Sequence, residues 1–181
     1  MRPRNLFLTG FMGSGKTTVG KELAKLLSGY SYVDSDEWLE KTADKKISEI
    51  FEKHGESYFR DLESKILQNI CKNQQQIVAT GGGIVLREDN IKLMQKNGVL
   101  VWLAVKPQTI YERIKDEAHR PLLNTGDGKK QVIAKIETML EQRFDLYKNC
   151  ADVIINTEEM EVADLAVSIR DEYERLLKCK I

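Results

Sequence analysis

Between Thr9 and Thr18 the chain reads TGFMGSGKTT, which sets Gly10, Gly15, Lys16 and Thr17 at the spacing G-x-x-x-x-G-K-T. Glycines at these places let the backbone turn tightly and aim its N–H groups inward, making a concavity for anionic oxygens. A helix that begins at Lys16 offers its positive N-terminal end to the same oxygens. Lys16 adds a movable charge for the outer phosphates, and Thr17 adds a hydroxyl for Mg²⁺. The stretch therefore points to a bound nucleotide, with Gly13, Ser14, Gly15, Lys16, Thr17 and Thr18 around its phosphates.

Other residues could work beside that loop. Asp34 and Asp36 stand two apart at the end of an apolar run, and in extended backbone they point to the same side. Facing phosphates, one would hold Mg²⁺ through water and the other would accept a substrate hydroxyl, with helix capping by Asp36 as the alternative. Gly81, Gly82 and Gly83 follow another apolar run directly. Three glycines are costly to order, so the pattern predicts backbone that must approach a ligand closely. Arg143 follows Ile136 and Leu140 and precedes Tyr147 at helical spacing, so it shares their inward face. A guanidinium held there suits a two-pronged grip on a carboxylate. Arg60, beside Phe59, has a simpler reading as a surface ion pair with Glu56 or Glu63. Arg113 reads as an exposed helix residue. Arg120, ahead of Pro121-Leu122-Leu123, lies in the irregular segment 116–130, which is expected to form a lid over the transferring group.

The elements that must position these residues follow from periodicity. Strands are expected at 5–9, 30–33, 76–79, 99–105 and 153–156. Helices are expected at 16–27, from about 37 to 41, 47–51, 56–71, 88–96, 107–115, from about 131 to 148, and 162–178. His54-Gly55 should break the helical run around it, and Asn97-Gly98 should close the helix before it. Alternating strands and helices give a layered α/β domain with a parallel sheet. Ligands in such sheets bind at the carboxyl ends of the strands. The phosphate loop, the two aspartates and the triple glycine should therefore line one crevice.

Composition narrows the classes. The 181 residues fit a single domain, 1–181, and are 41% hydrophobic and 31% charged, with 28 basic against 28 acidic residues. That balance argues against nucleic acid or an anionic membrane as partner. The run Val99–Val105 is too short to span a bilayer. Cys71, Cys150 and Cys179 lack metal-ligand spacing and read as reduced thiols in a cytoplasmic protein. No sticky helix face stands out, so a monomer is expected.

With these residues on the page, the chain resembles the shikimate kinases, small members of the nucleoside-monophosphate-kinase-like group of P-loop proteins. The likeness rests on GFMGSGKTT from Gly10, DSD from Asp34, Phe59-Arg60, TGGG from Thr80, RPLL from Arg120 and RFDLY from Arg143, in that order. It implies a three-layer domain with a five-stranded parallel sheet of order 2-3-1-4-5, a substrate region near 34–61, and transfer of the ATP γ-phosphoryl group to the 3-hydroxyl of shikimate with Mg²⁺. It further implies Asp36 on the ring hydroxyls, Arg60 and Arg143 on the carboxylate, and the Gly81–Gly83 backbone against the substrate. Arg120 and Lys16 would lie on the phosphates, Arg113 beside the adenine, Thr17 on the metal, and Asp34 on the metal through water. A gluconate kinase-like enzyme and a non-catalytic nucleotide-binding module are the alternatives.

Overall fold

The computed structural model describes residues 4–115, 128–158 and 160–179. Five short apolar runs form the strands: β1 (Asn5–Thr9), β2 (Ser31–Asp34), β3 (Gln76–Ala79), β4 (Gly98–Ala104) and β5 (Val153–Asn156). They pair in parallel in the order β2-β3-β1-β4-β5. The helices are α1 (Lys16–Leu26), α2 (Ser35–Ala43), α3 (Ile47–Ile70), α4 (Glu88–Asn97), α5 (Pro107–Ile114), α6 (Lys129–Cys150) and α7 (Val162–Cys179), with a 3₁₀ turn at Ile84–Leu86.

A parallel sheet is covered on both faces because its crossover helices must lie on them. Successive side chains of β1 show the consequence. Leu6 and Leu8 pack with Val99, Val101 and Leu103 beneath α1 and α7, in a core that includes Val19, Leu23, Leu165 and Ile169. Phe7 faces the other way and packs with Val78 and Leu100 against Phe59, Ile66, Met94 and Tyr147. A third cluster, Phe11 with Ile110, Ile114, Val132 and Ile136, seats the loop after β1 on α5 and α6.

Several boundaries move for identifiable reasons. Gly98 belongs to β4 and does not merely close α4. Its φ of −166° is extended, and a side chain there would run into the Asn5 carbonyl and the Phe7 ring. Gly55, at φ 78° and ψ 175°, breaks the path of α3 where the sequence placed the break. Helix α6 begins at Lys129, so the end of the expected lid is helix. Residues 116–127 of that segment lie outside the described residues.

The sheet order has a functional effect. Because β3 runs between β1 and β2, the ends of all three strands open at one edge. The phosphate loop, the two aspartates and the triple glycine converge there.

Candidate active site

The loop after β1 has the geometry of an anion cradle. Gly10, Gly13 and Gly15 adopt φ of 138°, 73° and 92°, the region that L side chains rarely enter. At Gly10 a side chain would also meet the Leu103 carbonyl at 2.7 Å and the Ser14 hydroxyl at 2.9 Å. Gly15 leads directly into α1 with no side-chain cap on its N-terminus, so the first N–H groups of the helix face the cradle. The Lys16 ammonium arches back and donates to the carbonyls of Gly10 and Phe11, each at 2.8 Å. Thr18 lies exposed on the first turn of α1.

Asp34 and Asp36 divide their work differently from the extended-strand expectation. The strand ends at Asp34, and α2 starts at the next residue. Asp34, not Asp36, is the cap: its Oδ1 accepts from the Asp36 N–H at 3.0 Å and the Glu37 N–H at 3.4 Å. Its Oδ2 accepts from the hydroxyls of Thr17 at 3.0 Å and Tyr32 at 3.2 Å. Four donors therefore converge on this carboxylate. The hydroxyl and carboxylate oxygens of Thr17 and Asp34 are the hard donors that Mg²⁺ prefers, and they stand together at the cradle's mouth. Asp36 sits on the first turn of α2, facing the triple glycine. Burial, and then the charges of Asp34 and Glu63, push its carboxyl up to about 6, against the opposing pull of Lys16 and Arg60.

The three glycines make room for three different neighbours. A Cβ at Gly81 would lie 2.7 Å from Asp36 Oδ1 and 2.7 Å from Glu63 Oε1, so the two acids face each other across that vacant position. At Gly82 it would press on the loop backbone, 3.3 Å from the Met12 nitrogen and 3.4 Å from the Gly10 carbonyl. At Gly83 it would fall inside the Arg60 guanidinium. The Ser35 hydroxyl accepts from the Gly81 N–H at 2.9 Å and ties the turn to α2.

Arg60 makes both ion pairs that its spacing suggested, but one of them is buried. Its Nη1 donates to Glu63 Oε2 at 2.8 Å, and its Nη2 to Glu56 at 3.1 Å. Glu63 is 2% exposed, and its second oxygen has no partner among the described residues. Burial raises its carboxyl, an effect that the Arg60 charge opposes. Arg143 is half-buried over the Phe11 ring, 5.5 Å from the centroid. Its Nη1 stands 3.5 Å from the Gly82 carbonyl, which also accepts from the Tyr147 hydroxyl. One turn of backbone thus meets two acids, Asp36 and Glu63, and two guanidinium groups, Arg60 and Arg143. Arg113 donates to the Gly13 carbonyl at 3.1 Å and reaches Thr157, so it braces the cradle from α5. Arg120 lies outside the described residues.

The site has known counterparts. The sequence model of the family "Shikimate kinase" matches residues 12–174. A shikimate kinase of Thermodesulfovibrio yellowstonii is 44% identical over 173 residues, covering 96% of each chain. The chain belongs to the shikimate kinase family. The structure of a shikimate kinase from Acinetobacter baumannii, in complex with shikimate, superposes with a TM-score of 0.88 at 33% identity, covering 99% of this chain and 96% of that one. The enzyme from Bacteroides thetaiotaomicron gives 0.85 at 32% identity, covering 97% and 98%. Shikimate kinases are ATP-dependent phosphotransferases that use Mg²⁺ and act on an alcohol group. The five-stranded sheet of order 2-3-1-4-5 is theirs.

Two residues at this turn, Glu63 and Tyr147, are not singled out by the sequence as site residues. Both were visible on the inward faces of their helices, at Arg60+3 and Arg143+4. Helical spacing shows that such residues share a face with an arginine. It does not show that they meet a glycine turn from another strand.

Proposed function

We propose that this shikimate kinase transfers the γ-phosphoryl group of ATP to the 3-hydroxyl of shikimate, with Asp36 at the hydroxyl end of the substrate and Arg60 and Arg143 at its carboxylate. The observation that carries the reading is the order of groups along the triple-glycine turn: Asp36 against Gly81, Arg143 at the Gly82 carbonyl and Arg60 against Gly83, with the second acid, Glu63, paired to Arg60. An acidic cyclic triol has the matching polarity. Shikimate bound to the Acinetobacter baumannii relative supports the substrate.

In this reading the hydroxyl oxygen attacks the γ-phosphorus, its proton passes to Asp36, and the bond to the ADP oxygen breaks. Asp36 suits the base better than Asp34, whose two oxygens already serve four donors. Lys16 would stabilise charge on the phosphoryl oxygens, and Mg²⁺, when bound, would supply further neutralisation there. Thr17 and Asp34 would hold the metal, Asp34 through water. The cradle residues Gly13 to Thr18 would hold the phosphates, Arg113 would flank the adenine, and the Gly81–Gly83 backbone would line the substrate. Arg120 enters on the resemblance alone. The same reading makes the protein a cytoplasmic monomer. No helix among the described residues is long and apolar enough to cross a membrane.

The test is ADP release from Mg-ATP with shikimate or gluconate as acceptor. Release that depends on shikimate alone is expected, and release with gluconate alone or with neither acceptor overturns the reading. In Arg143→Ala the KM for shikimate should rise roughly 10- to 100-fold, the size of a charge-assisted hydrogen bond, with the KM for ATP little changed. An unchanged shikimate KM would remove Arg143 from the carboxylate.

Gly83→Ala gives a separate check on Arg60. At φ −100° and ψ 3° the backbone accepts alanine, so the fold should survive while the guanidinium is displaced. The expected result is a shikimate KM raised about tenfold with a melting temperature within a few degrees of the parent. A parental KM in the folded variant would show that Arg60 does not hold substrate.

A further inference from the structure

Tyr147 is fully buried. Its ring stacks on Trp102 with centroids 5.6 Å apart and planes 14° from parallel, which fixes where the hydroxyl points. That hydroxyl donates to the Gly82 carbonyl. Burial pushes it up to about 12, although the Arg143 charge and a side-chain hydrogen bond with Arg143 work against the rise, so it stays protonated and able to donate at neutral pH.

The Gly82 oxygen therefore faces two donors from the same face of α6. The tyrosine makes the close contact, and Arg143 Nη1 stands off at 3.5 Å, the outer limit of a hydrogen bond. A carbonyl in a half-buried turn needs a donor, and losing one leaves a costly unsatisfied acceptor. If the hydroxyl were absent, the guanidinium would be the remaining donor and would be drawn in. The guanidinium lies over the Phe11 ring, 5.5 Å from its centroid. The turn also bears on the cradle, since the Gly82 Cβ position is 3.3 Å from the Met12 nitrogen.

We propose that Tyr147 is a positioning residue for shikimate: by satisfying the Gly82 carbonyl it keeps the Arg143 guanidinium available for the substrate's carboxylate. The proposal rests on the reading of Arg143 given above. Tyr147 touches neither reacting atom and acts entirely through Arg143 and the turn. Phenylalanine at this position keeps the ring and its stack on Trp102 and removes only the hydroxyl.

The experiment is steady-state kinetics on the parent, Tyr147→Phe, Arg143→Ala and the double variant, with melting temperatures to confirm folding. In Tyr147→Phe the shikimate KM is expected to rise about fivefold, the scale of one intramolecular hydrogen bond, while the ATP KM stays within about twofold. In the Arg143→Ala background the same change should leave the shikimate KM where it was, because there is no guanidinium left to misplace. A normal shikimate KM in Tyr147→Phe, with a raised one in Arg143→Ala, overturns the proposal and leaves the reading of Arg143 standing. A normal KM in Arg143→Ala overturns that reading, and the proposal with it. Equal losses from Tyr147→Phe in both backgrounds show a merely structural hydroxyl and also overturn the proposal.

Discussion

Replacing Lys16 with methionine is expected to lower kcat roughly a thousandfold, the scale seen when one preorganised donor to developing charge is lost. Methionine preserves the length of the side chain and removes its charge. The ammonium donates to the Gly10 and Phe11 carbonyls, which aims it across the mouth of the cradle. With nucleotide bound, it would exchange those two acceptors for phosphate oxygens. Ground-state binding of nucleotide gains less from this exchange than the transition state does, because the carbonyl bonds are given up in both cases. The charge on the transferred group is what changes between them. The KM for ATP should therefore rise about tenfold or less while kcat falls much further. Nucleotide titration of the variant by fluorescence or calorimetry separates the two effects. A variant that loses nucleotide binding and turnover in equal measure would show that Lys16 mainly builds the loop.

Asp36→Asn should remove activity and stabilise the fold together. The loss of kcat is expected to be about 100- to 10,000-fold, the range for a general base in place. Stability should move the other way. The carboxyl of Asp36 is raised from 3.8 to about 6 in the folded protein, first by burial and then by Asp34 and Glu63. The folded state thus binds the proton more tightly than the unfolded chain does. Stability from this group is full below pH ~4 and is lost as pH rises through about 6. At pH 7 the parent therefore bears a destabilising charge worth on the order of 1–3 kcal/mol, which asparagine lacks. A melting temperature several degrees above the parent at pH 7, with the gap closing toward pH 4, is the expected result. The kcat/KM of the parent should fall below pH ~6 as Asp36 takes up a proton. A gap that stays constant from pH 4 to 7, or an Asn variant that keeps most of its turnover, would show that Asp36 is neither strained nor the base.

The sequence alone pointed to the phosphate-type loop, to the succession of strands and helices, and to Asp34, Asp36, the triple glycine and Arg143 as candidates for one crevice, while it read Arg60 as a surface ion pair. These are local features. A G-x-x-x-x-G-K-T loop carries its geometry in its glycines, and a strand or helix declares itself through its period of apolar residues. Arg143 was legible for the same reason, since 3.6-residue spacing put it on the face of Ile136 and Tyr147. The tertiary structure decided which of these groups meet. Two aspartates two apart looked equivalent as long as the strand was assumed to continue. The strand ends at Asp34 because that side chain caps α2, and the same bonds commit Asp34 and leave Asp36 to face the turn. The triple glycine announced a close approach without naming the neighbour. Asp36, Glu63 and Arg60 fill those spaces from α2 and α3, and the Tyr147 hydroxyl reaches Gly82 from 65 residues away. Such contacts have no period to read in the chain. They exist because β3 inserts between β1 and β2, and that insertion brings one glycine turn against three elements at once.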